Sequence, residues 1–277
     1  MIIMIYSLST WLFFFYFYCF LGWIWETCYV SVLNGKWVNR GFMHGPFLPI
    51  YGFGAIGVLI ATLQYREDAV AVFFVGMITA TVLEYCTGAA MERIFHVRYW
   101  DYSKLPFNIN GHVCLLASLA WGMFSVILTV YGHNPVERFA LNVNSNILEL
   151  IVLVLTAYIA VDFTNSFKAA IDLKEMLMEL EENNEDFRRI QKRIEVVSTF
   201  YGEELKEKSE AGLKRINSAI NTGKEMYERI DISRVKDREY LKMKSLLNRN
   251  PKAVSMMHEK AFTLLKKITD EAETQNE

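Results

Sequence analysis

Over residues 1–167 the apolar positions come in long runs, which charged and turn residues divide into five stretches near 8–33, 47–65, 69–91, 112–132 and 146–167. A hydrocarbon core about 30 Å thick takes about 20 mostly apolar residues of helix, so each stretch is predicted to span a membrane. Past residue 167 the pattern changes. Apolar residues at 173, 177, 180, 187, 190, 194, 197, 201 and 205 fall three or four apart, with Asn184 filling one place. That is the seam of a coiled coil or helical hairpin. Asn250-Pro251 then reads as an N-cap and first helical position opening a last helix, with Val254, Met257, Ala261, Leu264 and Ile268 on one side. The expected fold is all-α: a polytopic helical membrane bundle of about five spans in residues 1–167, and a helical, coiled-coil-like cytoplasmic region in residues 168–277.

Charge sharpens the division. Residues 1–167 carry seven Lys/Arg and nine Asp/Glu, whereas residues 168–277 carry 22 of each. Loops 34–46 and 92–111 hold Lys36, Arg40, Arg93, Arg98 and Lys104, while loops 66–68 and 133–145 hold only Arg66 and Arg138. The positive-inside rule therefore puts the N-terminus outside and the C-terminus in the cytoplasm of a multi-pass plasma-membrane protein. The first stretch has no basic n-region and is longer than the apolar part of a secretory signal, so it is expected to remain as an anchor. Cys19, Cys28, Cys86 and Cys114 all fall in apolar stretches and form no CxxC pair. No basic stripe with interleaved aromatics marks a nucleic-acid partner.

Against this apolar background two carboxylates stand out. Glu26-Thr27-Cys28 and Glu84-Tyr85-Cys86 repeat a Glu-x-Cys pattern, each about seven residues, or roughly 10 Å of helix, from the cytoplasmic end of its stretch. Each is followed by an aromatic, turn-rich loop and then by His44-Gly45 or Gly111-His112. The two helical hairpins read as a parallel repeat of the sort some transporters use, although so short a pattern also arises by chance. A charge at membrane depth costs at least about 2.5 kcal/mol, and a Glu side chain is too short to snorkel across two turns. Two readings stay open: a substrate or ion pathway, and a structural hydrogen bond between helices.

The segment RGFMHGPFLPIYGFGAIG, residues 40–57, is dense in Gly and Pro, so the second span should begin irregularly, either as a broken-helix site or for close packing. In the third loop Trp100, Asp101 and Asn108 stand near Arg98 and Lys104. The pathway candidates are Glu26, Glu84, His44, His112, Arg40, Asn108, Trp100 and Asp101. Carboxylate and imidazole suit a metal ion or another cation, but the spacings match no zinc signature, and neither metal nor cofactor is assigned. No GxxxxGK[ST] loop occurs, and no catalytic residue is assigned, so the chain is not read as an enzyme.

Gly22-Trp23, Glu26, Arg40-Gly41-Phe42, Gly45-Pro46, Pro49-Ile50-Tyr51-Gly52 and Gly54 resemble the type IV ABC-transporter permease family of bacterial membrane proteins. Glu84, Trp100-Asp101-Tyr102-Ser103, Pro106, Asn108, Gly111 and Trp121-Gly122 continue the likeness in order, over roughly residues 10–130. The resemblance implies a permease subunit moving an unknown substrate, with the ATPase on a separate polypeptide and a homodimer or second membrane subunit completing the pathway. The alternative is a membrane-anchored scaffold or sensor whose helical tail binds cytoplasmic partners. An intramembrane hydrolase ranks third, since Glu and His are present without an evident nucleophile.

Overall fold

The computed structural model describes residues 6–205, 244–259, 261–263 and 266; in the long last helix, side chains are described to residue 179. Two compact units emerge, residues 1–171 with 244–257, and residues 172–243 with 258–277.

In the first unit the helix ends follow capping chemistry. Helix α1 (Leu8–Asn34) starts where the Ser7 hydroxyl accepts the Thr10 amide, and stops at Gly35, whose φ of 65° is left-handed. Residues 35–48 form an irregular loop. Helix α2 (Pro49–Thr62) begins with Pro49 in its first turn, where a missing N–H costs nothing, and ends in the 3-10 turn Leu63–Tyr65. The irregular start expected of the Gly/Pro-rich segment is seen. Helix α3 (Ala69–Phe95) is capped by Asp68, which accepts the amides of Val70 and Ala71.

Strands β1 (Asn108–Ile109) and β2 (Val113–Cys114) pair antiparallel. Asn110 and Gly111 between them both have positive φ, 52° and 74°, and the His112 amide bonds to the Ile109 carbonyl. Positive φ at both central residues is the mark of a type I′ turn, which favours Asn-Gly, and the pairing of Ile109 with Val113 leaves three residues in the loop.

The expected span at 112–132 is therefore displaced. Helix α4 (Leu115–Val126) starts after the hairpin, passes into a π-helical turn (Ile127–Gly132), and continues as α5 (His133–Asn142). Residues 133–142, expected in a loop, are helical, and Arg138 stands on α5. Helix α6 (Ser145–Leu205) follows.

Among the described residues four helical segments are long and apolar enough to cross a membrane: Leu8–Asn34, Ala69–Phe95, Leu115–Asn142 and Ser145–Glu179. Pro49–Tyr65 is apolar but shorter, with Gly52, Gly54 and Gly57 of the Gly/Pro-rich segment inside the helix. Phe74, Ile78 and Val82 on α3, and Leu150, Leu153 and Val154 on α6, are exposed, as lipid-facing side chains are. Small residues let the helices approach closely. A Cβ on Gly76 would lie 2.3 Å from Ser125 Cβ, and one on Gly122 would lie 2.7 Å from the Phe73 ring, so α3 and α4 interlock reciprocally. Tyr16, Cys19, Met43, Phe47 and Val152 form one core, and Phe14, Tyr18, Leu59 and Ala140 another.

Residues 244–257 belong to the first unit. Asn250 does not cap a following helix. It closes a short helical stretch at 244–249, and Val254 instead bridges to Arg98. The reason is that the side-chain Nδ2 of Asn250 donates to the Leu246 and Gly41 carbonyls, which pins it to the preceding turn and to the first loop. In the second unit the first seam residues, Leu173 and Leu177, are buried. The coiled-coil expectation otherwise rests on side chains from residue 180 onward, and these, with Leu264 and Ile268, lie outside the described residues.

Candidate functional site

The site starts at Gly22. A Cβ there would lie 2.2 Å from Tyr51 Cγ, so glycine leaves the space that the Tyr51 ring fills between α1 and α2. One turn further along α1, the Tyr51 hydroxyl donates to Glu26 Oε1 at 2.8 Å. The Arg40 guanidinium stands 3.8 Å from Glu26 Oε2, and itself donates to the Tyr99 carbonyl and to Asn250 Oδ1. Burial pulls the Arg40 guanidinium below the usual range, and the Glu26 charge opposes that pull.

Glu84 is held in a parallel way on α3. The Tyr102 hydroxyl donates to Oε1 at 3.1 Å, and the Trp121 indole donates to Oε2 at 2.9 Å. The carboxylate is only 5% exposed. The Tyr51 and Trp121 rings meet edge to face with centroids 5.6 Å apart, so the donor to one glutamate packs on the donor to the other. Hydrogen bonds to a carboxylate are among the stronger kinds, and here they answer the cost of burying Glu84 and partly burying Glu26.

The two histidines lie in separate polar clusters. His44 Nδ1 is 3.0 Å from Ser166 Oγ and 3.4 Å from Asp162 Oδ1, while the Asp162 carboxylate also accepts the backbone amides of His44 and Gly45. His112 Nε2 is 3.3 Å from Glu92, which also pairs with Arg98 at 2.7 Å. Burial lowers the His112 pKa, with Arg98 adding to the effect and Glu92 opposing it. Trp100 donates its indole N–H to the His112 carbonyl, and Gly88 leaves room for both rings. Asp101 accepts from the Ser103 amide and hydroxyl; Asn108 bonds to the Ser103 and Leu105 carbonyls and the Gly111 amide.

Of the eight candidates, then, Glu26, Arg40 and Glu84 gather at the linked carboxylate cluster. His44 stands with Asp162, His112 with Glu92, and Trp100, Asp101 and Asn108 brace the third loop. Among the described residues no group of three or more His, Cys, Asp or Glu could hold a metal ion.

Sequence reasoning missed Tyr51, Tyr102, Trp121 and Asp162 as working residues. Asp162 had a visible signal, since it is an acid within an apolar stretch, as Glu26 and Glu84 are. Tyr51, Tyr102 and Trp121 stood within the motifs that carry the family resemblance, but their residue type alone does not separate them from an interfacial belt. Also unforeseen is the clasp formed by residues 244–257. The amide and carbonyl of Arg98 pair with those of Val254 at 2.7 and 2.9 Å, Ser255 donates to the His96 carbonyl, and Asn250 holds Arg40 and Gly41. One segment thus grips both the 35–48 loop and the loop after α3. Arg249 is buried there, its Nη2 3.5 Å from His44 Nε2, and burial brings its pKa down to about 10.

Membrane-length helices around the buried Glu84 and the partly exposed Glu26 define a polytopic α-helical membrane protein. A family model described as "Putative ABC-transporter type IV" matches residues 13–167, and the chain belongs to that family. No curated protein and no solved structure matches the chain.

Proposed function

We propose that the chain is the permease subunit of a plasma-membrane transporter, with a substrate pathway that passes Glu26 and Glu84. The observation that carries this reading is the linked pair of carboxylates at the bundle interior, each held by donors from a neighbouring helix or loop and joined through Tyr51 and Trp121. Purely structural ties between helices are more cheaply made with neutral side chains, and intramembrane acids usually mark ion or substrate paths. Family membership supports transport, and the absence of a Walker-type loop from the sequence assigns ATP hydrolysis to a separate subunit. The loop charges support an N-out, C-in orientation, which cysteine labelling would test: residues 36–40 and 98–104 inside, residue 138 outside.

A second reading, a membrane-anchored scaffold or sensor, is favoured by the clasp, because a partner that pulled on residues 244–257 would act on both loops at once. Affinity purification of the full chain in mild detergent separates the two. Copurification of an ATPase whose turnover falls in Glu26→Gln and Glu84→Gln, at normal membrane abundance, supports the permease; recovery of signalling or envelope proteins alone replaces it with the scaffold.

A further inference from the structure

Beside Glu84 the helices enclose a cavity of about 490 Å³ lined from α1, α2, α3, α4, α5 and the π-helical turn. That volume lies in the range of small-molecule sites, about 300–1,000 Å³. The lining is aliphatic and aromatic, including Leu21, Val58, Leu83 and Leu128, and Glu84 is the one carboxylate in it.

Three features point to its occupant. Among the described residues no Lys, Arg or His lies within 4.0 Å of Glu84, whereas Glu26 has Arg40. Both Glu84 oxygens take bonds from neutral donors, so the acid end of the cavity has no countercharge of its own. Next, lining residues Trp25, Phe124 and Ile127 are 53%, 39% and 53% exposed, and Trp25 and Phe124 meet edge to face at 5.5 Å. These positions sit on membrane-length helices, so the cavity opens sideways toward lipid. Last, the π-helical turn widens the backbone where Ile127, Leu128 and Gly132 line the wall, and such turns concentrate at functional sites.

We propose that this cavity binds a single-chain cationic amphiphile taken from the bilayer, with its ammonium group on Glu84 and its chain along the apolar wall. The proposal deepens the permease reading by naming the substrate class. A cation answers the unpaired carboxylate, and an alkyl chain answers both the lining and the lateral opening. An anionic lipid would face Glu84 with like charge, and a second protein helix would be too wide for the space.

The test reads binding rather than transport. The full chain, reconstituted in phosphatidylcholine nanodiscs, is photolabelled with a dodecylamine carrying a diazirine in its chain, and with the matching alcohol and carboxylate. Labelled residues are then mapped by mass spectrometry. The expected result is saturable labelling of the cavity wall on α3 and α4, competed by unlabelled dodecylamine, with the amine favoured over the carboxylate by about tenfold or more, the scale of a charge-assisted hydrogen bond. Glu84→Gln should erase the preference for the amine, and Ala80→Phe should block labelling by filling the space. Equal labelling by all three probes, or labelling spread over Phe74, Ile78 and Val82 and insensitive to competition, overturns the proposal. If no ATPase copurifies yet the amine binds as described, the permease reading fails while the site stands.

Discussion

The ring of Tyr51 meets that of Trp121 edge to face, 5.6 Å between centroids, and each residue donates a hydrogen bond to a different glutamate. The contact makes the two acids neighbours through their donors, and it predicts that a displacement of either aromatic is felt at the other's glutamate.

This coupling is measurable by a double-mutant cycle. Tyr51→Phe and Trp121→Phe each leave a carboxylate short of one donor, a loss of about 1–3 kcal/mol at the buried Glu84 and less at the partly exposed Glu26. Because the rings touch, the double variant should depart from additivity by at least about 0.5 kcal/mol. Thermal or denaturant unfolding in detergent checks this, and strict additivity would show that the two glutamates are independent.

Glycine positions on the same two helices should differ sharply. A methyl group at Gly22 would press on the Tyr51 ring at 2.2 Å, whereas one at Gly54 meets nothing within 4 Å. Gly22→Ala is expected to cost about 1–3 kcal/mol by overpacking and to weaken the Tyr51–Glu26 bond. Gly54→Ala should be neutral or slightly stabilising, since alanine is the better helix former. Comparing their melting temperatures decides the point.

Acid should weaken the third loop through His112. Its pKa is lowered by burial, so the unfolded chain takes up the proton first as pH falls. The stability this gives is fully present above the unfolded value of about 6.5 and is lost as pH drops toward the lower folded value. Stability measured from pH 8 to 5 should decline below about 6.5, and His112→Gln should flatten that decline. An unchanged profile in the variant would assign the acid sensitivity elsewhere.

The clasp makes a prediction in hydrogen exchange. Val254→Pro removes the amide that donates to the Arg98 carbonyl and disrupts the short bridge. Exchange should quicken at the Arg98 amide and in loops 35–48 and 96–107, while α3 and α4 stay protected. If only residues near 254 respond, the segment rests on the loops without holding them.

The helical class, the apolar helices long enough to cross a membrane and the presence of Glu26 and Glu84 within them were legible in the sequence, because spanning length depends on local hydropathy and an acid in an apolar run is visible without knowing its neighbours. Asp162 carried the same local signal. The Asn110-Gly111 turn was not read from the sequence, which placed a span from residue 112; the two left-handed residues put this segment in a hairpin instead. Tertiary structure alone decided which aromatic meets which acid. Tyr51 lies 25 residues from Glu26 and Trp121 lies 37 from Glu84, and many other aromatics in the chain have the same chemistry. It also decided that Asn250, 210 residues from Arg40, would hold that guanidinium. Such partners are selected by which helices and loops come into contact, and at Gly22, Gly76 and Gly122 that contact turns on the absence of a single Cβ, a condition set jointly by two distant stretches of chain.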